Sequence, residues 1–158
     1  MSSEPVLSAV ERSFLASARR ATLATIAPDG RPRLVPICFA LDPDGPVLYT
    51  PIDEKPKRST DLTALARVRD LLADPRASVL VDRWDEDWAR LAWLRCHGTA
   101  SLMEPGALSF DATEHAMAVA ALRQRYEPYA GQRLEDRPMI RLAIERTIAW
   151  GALEPPYG

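Results

Sequence analysis

The chain has 158 residues, which suits a single compact domain that buries about two thirds of the surface its unfolded form exposes. Twenty Lys and Arg residues against 22 Asp and Glu residues give a net charge of -2 without a long basic block, which argues against nucleic acid as a partner. The acidic, proline-containing start and the lack of a run of about 18 apolar residues predict a cytoplasmic protein that does not enter a membrane.

Helical spacing of apolar residues predicts a first helix over about Glu4 to Arg19, capped by Ser3. Two runs rich in strand-forming residues follow, ATLATIA and RLVPICFAL, and the turn-forming sequence Pro-Asp-Gly at residues 28–30 lies between them. A second turn at 42–45 leads into VLYT, so three antiparallel strands are expected before residue 51. Alternation in the second run places four apolar residues on one face: Val35, Ile37, Phe39 and Leu41.

The rest of the chain predicts two more helices and three more strands. One helix runs from about Thr60 to the stop at Asp74-Pro75, marked by Leu62, Leu65, Ala66 and Leu72. The strands ASVLVD and LAWLRCHGTASLM follow, the second bent or bulged at Gly98, and then a helix over about Ala107 to Tyr126. The last strand, IRLAIERTIAW, is expected to place these residues on one side: Ile140, Leu142, Ile144, Ile148 and Trp150.

These elements indicate one mainly β (α+β) domain over 1–158, since no linker or repeat divides the chain. Six mostly sequential antiparallel strands suggest a small closed barrel, because closure removes exposed sheet edges. The pattern leaves open whether such a barrel binds a lipid, a cofactor or nothing. Two cysteines are too few for a disulfide framework, so both are expected to be free thiols.

Three segments resemble a known superfamily: ATLATIAPDGRPRLVPICFAL, LYTPIDEKPKRS and RVRDLLADPRASVLVDRWDEDWARLAWLRCHGTA. They look like the flavin- and deazaflavin-binding split β-barrels typified by pyridoxamine 5'-phosphate oxidase, and more narrowly like actinobacterial members that use the deazaflavin coenzyme F-420. The resemblance implies a six-stranded antiparallel split β-barrel of the FMN-binding type, flanked by helices. It also implies a reductase that transfers a hydride between reduced F-420 and a small conjugated organic substrate.

The segment TPIDEKPKRSTDL concentrates cations just before the predicted second helix. Lys55, Lys57 and Arg58 crowd the place where helix N-H groups and the hydroxyls of Ser59 and Thr60 are free to bind an anion. On these residues alone, a solvated loop is the simpler interpretation. The resemblance favours a phosphate site.

Further cofactor contacts are implied by the resemblance. Arg67, inside the same helix, would reach the cofactor, whereas Asp70 stands where many relatives have an asparagine. An ionised acid cannot donate a hydrogen bond to a phosphate, which puts that contact in doubt. The ring would lie against backbone groups of the second and third strands: Val35, Pro36, Ile37, Thr50, Pro51 and Ile52.

Three of the four tryptophans fall within DRWDEDWARLAW. Trp93 is expected to point into the barrel, and Trp84 and Trp88 either cap its rim or lie at an interface. In the resembled superfamily this segment is near a dimer interface that encloses the cofactor. The resemblance therefore implies a homodimer in which Trp84 and Trp88 contribute to cofactor binding.

No catalytic side chain is assigned, because the cofactor would carry the hydride chemistry. Cys96-His97 together with Cys38 and His115 lacks zinc-site spacing, so no metal is expected, and His97 is interpreted as a strand histidine satisfied by its neighbours. Two alternatives remain: an FMN-dependent oxidase or reductase of the same fold, and a non-catalytic barrel that binds a cofactor or haem.

Overall fold

The computed structural model describes residues 3–52 and 65–155. Within these residues, seven antiparallel strands form one sheet in the order β2-β1-β5-β6-β7-β4-β3, flanked by three helices. The strands are β1 Ala21–Ile26, β2 Pro32–Ile37, β3 Ala40–Leu41, β4 Val47–Pro51, β5 Arg76–Arg83, β6 Ala92–Met103 and β7 Met139–Gly151. The helices are α1 Ala9–Ser17, α2 Ala66–Ala73 and α3 Ala112–Arg125.

The sheet curls upon itself. β2 and β4 lie near opposite ends of the strand order, yet Ile37 of β2, Leu48 of β4 and Ile52, which directly follows β4, belong to the same buried cluster. A second cluster joins Tyr49, on the opposite face of β4, to Leu122 of α3. This arrangement confirms the predicted antiparallel split barrel with flanking helices and corrects the strand count from six to seven.

The extra strand arises because the run RLVPICFAL does not form one strand. It breaks after β2, and the backbone N-H of Phe39 donates to the hydroxyl of Tyr126 at 3.2 Å before the chain resumes as β3. The expected alternation nevertheless holds across the break. All four residues of the predicted face lie in the main core cluster or pack against it: Val35, Ile37, Phe39 and Leu41.

The first helix begins later than predicted because a stronger cap lies inside the predicted span. Ser8 accepts from the backbone N-H of Glu11 at 3.2 Å, and the Glu11 carboxylate accepts from the N-H of Ser8 at 2.9 Å. This capping box starts α1 at Ala9 rather than Glu4. The third helix likewise begins at Ala112, after the Asp111 cap, rather than at Ala107.

The second helix differs most from its prediction. α2 begins at Ala66, after Leu65 with an extended backbone, and not near Thr60. Its buried face is formed by Val68, Asp70 and Leu71, whereas Leu72 is exposed. No described helix has both the length and the apolar character needed to cross a membrane.

A bulge interrupts the pairing of β6 with β7. His97 pairs with Arg146 and Gly98 pairs with Ile144, so Glu145 is an extra residue on β7. A β-carbon on Gly98 would lie 2.1 Å from the carbonyl oxygen of Ala143, which shows how closely the two strands approach there. The predicted irregularity at Gly98 is thus confirmed.

The bulge also corrects two predictions about side-chain direction. Beyond Glu145 the alternation of β7 reverses, so Ile148 and Trp150 are exposed on the outer face instead of lying on the same side as buried Ile144. Trp93 pairs with Trp150 and lies between buried Ala92 and Leu94. Trp93 therefore faces outward, and the expectation that it points into the barrel was wrong.

Candidate functional site

The name barrel mouth is used for the region of the edge strand β2, the end of β4 and the start of α2. Val35, Ile52, Leu65 and Val68 from these elements all lie in the main core cluster or pack against it. Polar groups from β1, β2 and α2 converge in this region. These elements carry half of the cofactor-binding residues implied by the sequence.

The six expected ring-contact positions lie on β2 and at the end of β4. Ile37, Thr50, Pro51 and Ile52 are buried, Val35 is half-buried and Pro36 is exposed. In the described part of the chain, β2 is the last strand of the sheet and pairs only with β1. Within the same residues, β3 pairs with β4 only at positions 48 and 49, so one edge of β2 and the rest of this edge of β4 have no strand partner there.

Ile52 is fixed by the segment that precedes β7. Its N-H donates to the carbonyl of Pro138 at 3.1 Å, and its carbonyl accepts from Nε of Arg137 at 2.8 Å. Both backbone groups of Ile52 thus have protein partners. A ring contact at this position would use the apolar side of Ile52 or the remaining lone pair of its carbonyl oxygen.

Asp70 is the centre of a polar network at the mouth. Its Oδ2 accepts from the Thr25 hydroxyl at 2.8 Å and from Nε of Arg33 at 2.7 Å. The Asp70 side chain is 2% exposed, whereas that of Arg33 is 41% exposed. The network joins α2 to β1 and to the free edge of β2.

Asp70 stays ionised in this setting. Burial alone would raise the pKa of Asp70, but the hydrogen bonds from Arg33 and Thr25 and the charge of Arg33 outweigh it, so the pKa is lowered. The Asp70 carboxylate, at the position where the resemblance implied an asparagine, is therefore engaged inside the protein. Sequence reasoning had identified the substitution but not its partners.

The basic cluster and its hydroxyl neighbours lie outside the described residues: Lys55, Lys57, Arg58, Ser59 and Thr60. Their role in phosphate binding stays a prediction. Arg67 is half-buried in the first turn of α2, three residues before Asp70. The later start of α2 separates its N-terminus in sequence from the cations by more residues than predicted.

Trp84 and Trp88 are not brought to the barrel mouth of the same chain. They are 67% and 71% exposed in the connection between β5 and β6. Trp84 follows Ser78 of β5, which pairs with Ala24 next to Thr25, by six residues or roughly 20 Å of extended chain. A single chain therefore does not assemble all of the predicted cofactor-binding residues in one place.

Two further side chains that can take part in chemistry meet on the outer face of the sheet. Nδ1 of His97 lies 2.6 Å from the hydroxyl oxygen of Ser78 on the neighbouring strand. This contact confirms that His97 is a strand histidine bonded to a neighbour.

Cys96 points inward and is fully buried. Burial and, to a smaller extent, the negative charge of Glu11 raise the pKa of the Cys96 thiol to about 12. Both cysteines are thiols rather than members of a disulfide, as expected.

Comparison with solved structures finds the same fold in proteins of several kinds. A conserved hypothetical protein from Mycobacterium tuberculosis is 25% identical with a TM-score of 0.69, covering 96% of this chain and 89% of that one. A FAD-binding protein from Mesorhizobium loti is 23% identical, with a TM-score of 0.63 and coverage of 90% and 94%. The heme storage protein HutZ from Vibrio cholerae is 18% identical, with a TM-score of 0.62 and coverage of 89% and 90%.

The sequence itself matches one protein family over most of its length. The match extends over residues 7–151 of 158 and so includes every strand of the barrel and all three helices. The chain belongs to the pyridoxamine 5'-phosphate oxidase family.

Proposed function

We propose that this protein is a cytoplasmic oxidoreductase that binds a flavin-type cofactor at the barrel mouth. The observation that carries the proposal is the family match over residues 7–151, supported by the FAD-binding protein of the same fold. The open backbone edges of β2 and β4 offer hydrogen-bonding groups of the kind that a flat heterocyclic ring requires. The two free cysteines suit a reducing compartment.

We further propose that the cofactor is the deazaflavin coenzyme F-420. FMN ends in one phosphate, whereas F-420 carries a phosphodiester followed by a poly-glutamate tail. Three cations within four residues, Lys55, Lys57 and Arg58, match the more anionic molecule better. The half-buried Arg67 adds a fourth cation close to the same segment in sequence.

In this proposal the coenzyme supplies a hydride from ring carbon 5, and the protein binds and orients its ring. The backbone edges of β2 and β4 would hold the ring, and the Asp70 network would keep the β2 edge in position. The cations of the basic cluster would hold the anionic end. The acceptor is a small conjugated organic molecule.

A haem-binding barrel is the second candidate, because a heme storage protein has the same fold. An FMN-dependent enzyme of the same fold is the third candidate.

The three cofactors have distinct absorption spectra: FMN is yellow, a deazaflavin absorbs further to the blue, and haem has an intense Soret band. The spectrum of the purified protein, followed by titration of cofactor-free protein with each molecule, is the decisive experiment. Tighter binding of FMN or haem than of F-420 would overturn the proposed cofactor.

The basic cluster provides the first test of the proposed site. Replacing Lys55 and Lys57 with alanine should weaken F-420 binding by about 1–3 kcal/mol, the scale of partly exposed charge-assisted hydrogen bonds. Wild-type affinity should fall with added salt, and the double variant should respond less. Isothermal titration at two salt concentrations would measure both effects.

The matched control removes two exposed cations elsewhere, Arg31 and Arg133, whose side chains are 86% and 82% exposed. That variant loses the same charge and should bind F-420 almost as the wild type does. Equal losses in both double variants would mean that only net charge matters, and the phosphate site would then have to lie elsewhere.

We also propose that the protein is a homodimer in which the tryptophan segment of one chain completes the site of the other. Trp84 and Trp88 are exposed and distant from the mouth of their own chain, and Trp150 and Ile148 add to the apolar outer face. Light scattering should give about twice the chain mass of 17.5 kDa.

The outer apolar face provides a mutational test of the proposed dimer. Replacing Trp150 with glutamate should shift the mass measured by light scattering toward that of one chain, whereas Leu108→Glu, at a fully exposed position, should leave it unchanged. A wild-type mass of one chain would refute the dimer.

A further inference from the structure

An open groove of about 700 Å³ runs across the outer face of the sheet beside the β6 bulge. One wall is apolar and is formed by Ala24, Ile26 and Pro32 from the β1–β2 hairpin. The opposite side is polar and carries Ser78, His97 and Arg146 from three neighbouring strands. The groove has the size of a small-molecule site and the mixed lining that such sites show.

The bulge determines which side chains reach the groove. Because Glu145 is the extra residue on β7, Arg146 stands directly opposite His97. The imidazole of His97 is in turn fixed by its 2.6 Å contact with Ser78. Bulges often redirect side chains next to binding sites, and here the bulge aligns an imidazole with a guanidinium.

The groove lining contains three side chains that are charged at neutral pH: Arg76, Glu145 and Arg146. Arg76 at the rim pairs with Asp74 at 2.7 Å, and the Glu145 carboxylate accepts a hydrogen bond from Thr99. In contrast, no carboxylate of residues 3–52 or 65–155 pairs with Arg146. Nε of Arg95, next to His97 on the same outer face, is buried without a hydrogen-bond partner in this part of the chain.

The charge of the groove also acts on His97. Burial, followed by the charges of Arg146 and Arg95, lowers the pKa of His97, so its ring is neutral at pH 7. An anion bound between His97 and Arg146 would offset these charges and favour the protonated ring. Proton uptake should therefore accompany anion binding, and affinity should rise as the pH falls toward the pKa of His97.

We infer that this groove binds a small organic anion, with its carboxylate between Arg146 and His97 and its apolar body against Ala24, Ile26 and Pro32. The inference does not depend on the proposed cofactor, because it uses only the outer face of the sheet. The groove and the mouth do share Thr25, which lines the groove and donates to Asp70. A ligand in the groove would thus lie against the strand that supports the mouth.

Benzoate is a suitable probe because it combines one carboxylate with a flat apolar body. The chain contains two histidines, so imidazole NMR signals report on the groove through His97 and on an internal control through His115. His115 is buried, and its Nε2 lies 2.9 Å from the carbonyl oxygen of Arg137. Benzoate up to about 20 mM, a range that detects millimolar affinity, should shift the His97 signal saturably and raise its pKa, with His115 unaffected.

Variants and matched ligands separate the charge from the apolar contact. Arg146→Gln should weaken benzoate binding about 3- to 10-fold, the effect of losing one exposed charge-assisted contact, whereas Arg133→Gln at a remote exposed site should not. Ser78→Ala should retain binding but alter the His97 titration. Acetate, without an apolar body, and benzyl alcohol, without a charge, should each bind more weakly than benzoate.

Each of the following results would overturn the inference. The first is a His97 signal that does not shift saturably with benzoate. The second is equal binding by the Arg146→Gln and Arg133→Gln variants, or equal binding of acetate and benzoate. The third is a His97 signal that depends on protein concentration and not on benzoate, which would mean that a second copy of the chain covers the groove.

Discussion

Replacing Gly98 with alanine should lower the free energy of unfolding by about 3 kcal/mol or more. The added β-carbon would lie 2.1 Å from the carbonyl oxygen and 2.9 Å from the carbonyl carbon of Ala143. Both atoms belong to the backbone of the paired strand, so the clash cannot be relieved by a side-chain rotation. β6 and β7 would have to separate at the bulge and lose hydrogen bonds of the central ladder. Chemical denaturation followed by circular dichroism would measure the change.

A second glycine serves as a control. It shows whether the loss of stability comes from the close approach of β6 and β7 or from replacing any glycine with alanine. A β-carbon on Gly131 would meet no heavy atom within 4 Å, and this residue lies in a short 3-10 turn away from the sheet. Gly131→Ala should therefore change the unfolding midpoint little. If Gly98→Ala were as stable as Gly131→Ala, the strands would not approach as closely as the structure shows.

Because the bulge also aligns His97 with Arg146, Gly98→Ala should additionally lose benzoate binding at the outer groove.

The bulge illustrates how far the sequence could predict the fold. Alternating apolar residues and turn chemistry correctly identified the β1–β2 hairpin, and Gly98 within a β-rich run indicated an irregular position. The sequence did not show which strand carries the extra residue. That residue is Glu145, on the partner strand, and it reverses the faces of every later position on β7. Ile148 and Trp150 were for this reason predicted on the same side as Ile144, although they lie on the other side of the strand.

Helix starts were mispredicted for a local reason that the sequence does contain. Ser8 and Glu11 have the spacing of a capping box, which is a more specific signal than a single serine at position 3. The start of α2 had no comparable signal, since Leu65 makes no side-chain cap. The buried position of Asp70 between Val68 and Leu71 was also unexpected, because an acid on a helix is usually exposed.

The candidate site could be predicted only in part, because its polar contacts join residues far apart in sequence. The backbone positions at the mouth were predicted from resemblance to a known superfamily, and their role in cofactor binding stays a prediction. The pairing of Asp70 with Arg33, 37 residues away, and of Ser78 with His97, 19 residues away, depends on helix placement and strand register. A single sequence does not specify either one.

The Asp70 network gives the second large effect. Asp70→Ala should lower the free energy of unfolding by about 2–4 kcal/mol, because it leaves the buried hydroxyl of Thr25 without its acceptor and removes the ion pair with Arg33. Asp70→Asn keeps the shape and one acceptor oxygen, so it should cost less. Asp136→Ala, which removes a carboxylate from an exposed ion pair, is the control and should have little effect.

The pH dependence of this effect distinguishes the ion pair from simple packing. The pKa of Asp70 is lower in the folded protein than its ordinary value of 3.8, so the unfolded chain takes up this proton first as the pH falls. The charged contribution of Asp70 is therefore fully present at neutral pH and is lost below pH 3.8, as the pH falls through the folded pKa. The stability difference between wild type and Asp70→Ala should be constant from pH 7 to about 5 and should shrink below 3.8 toward the part due to Thr25 and packing. Denaturation curves at several pH values would measure it, and a difference that stays constant down to the lowest pH at which both proteins fold would show that the carboxylate acts by shape alone.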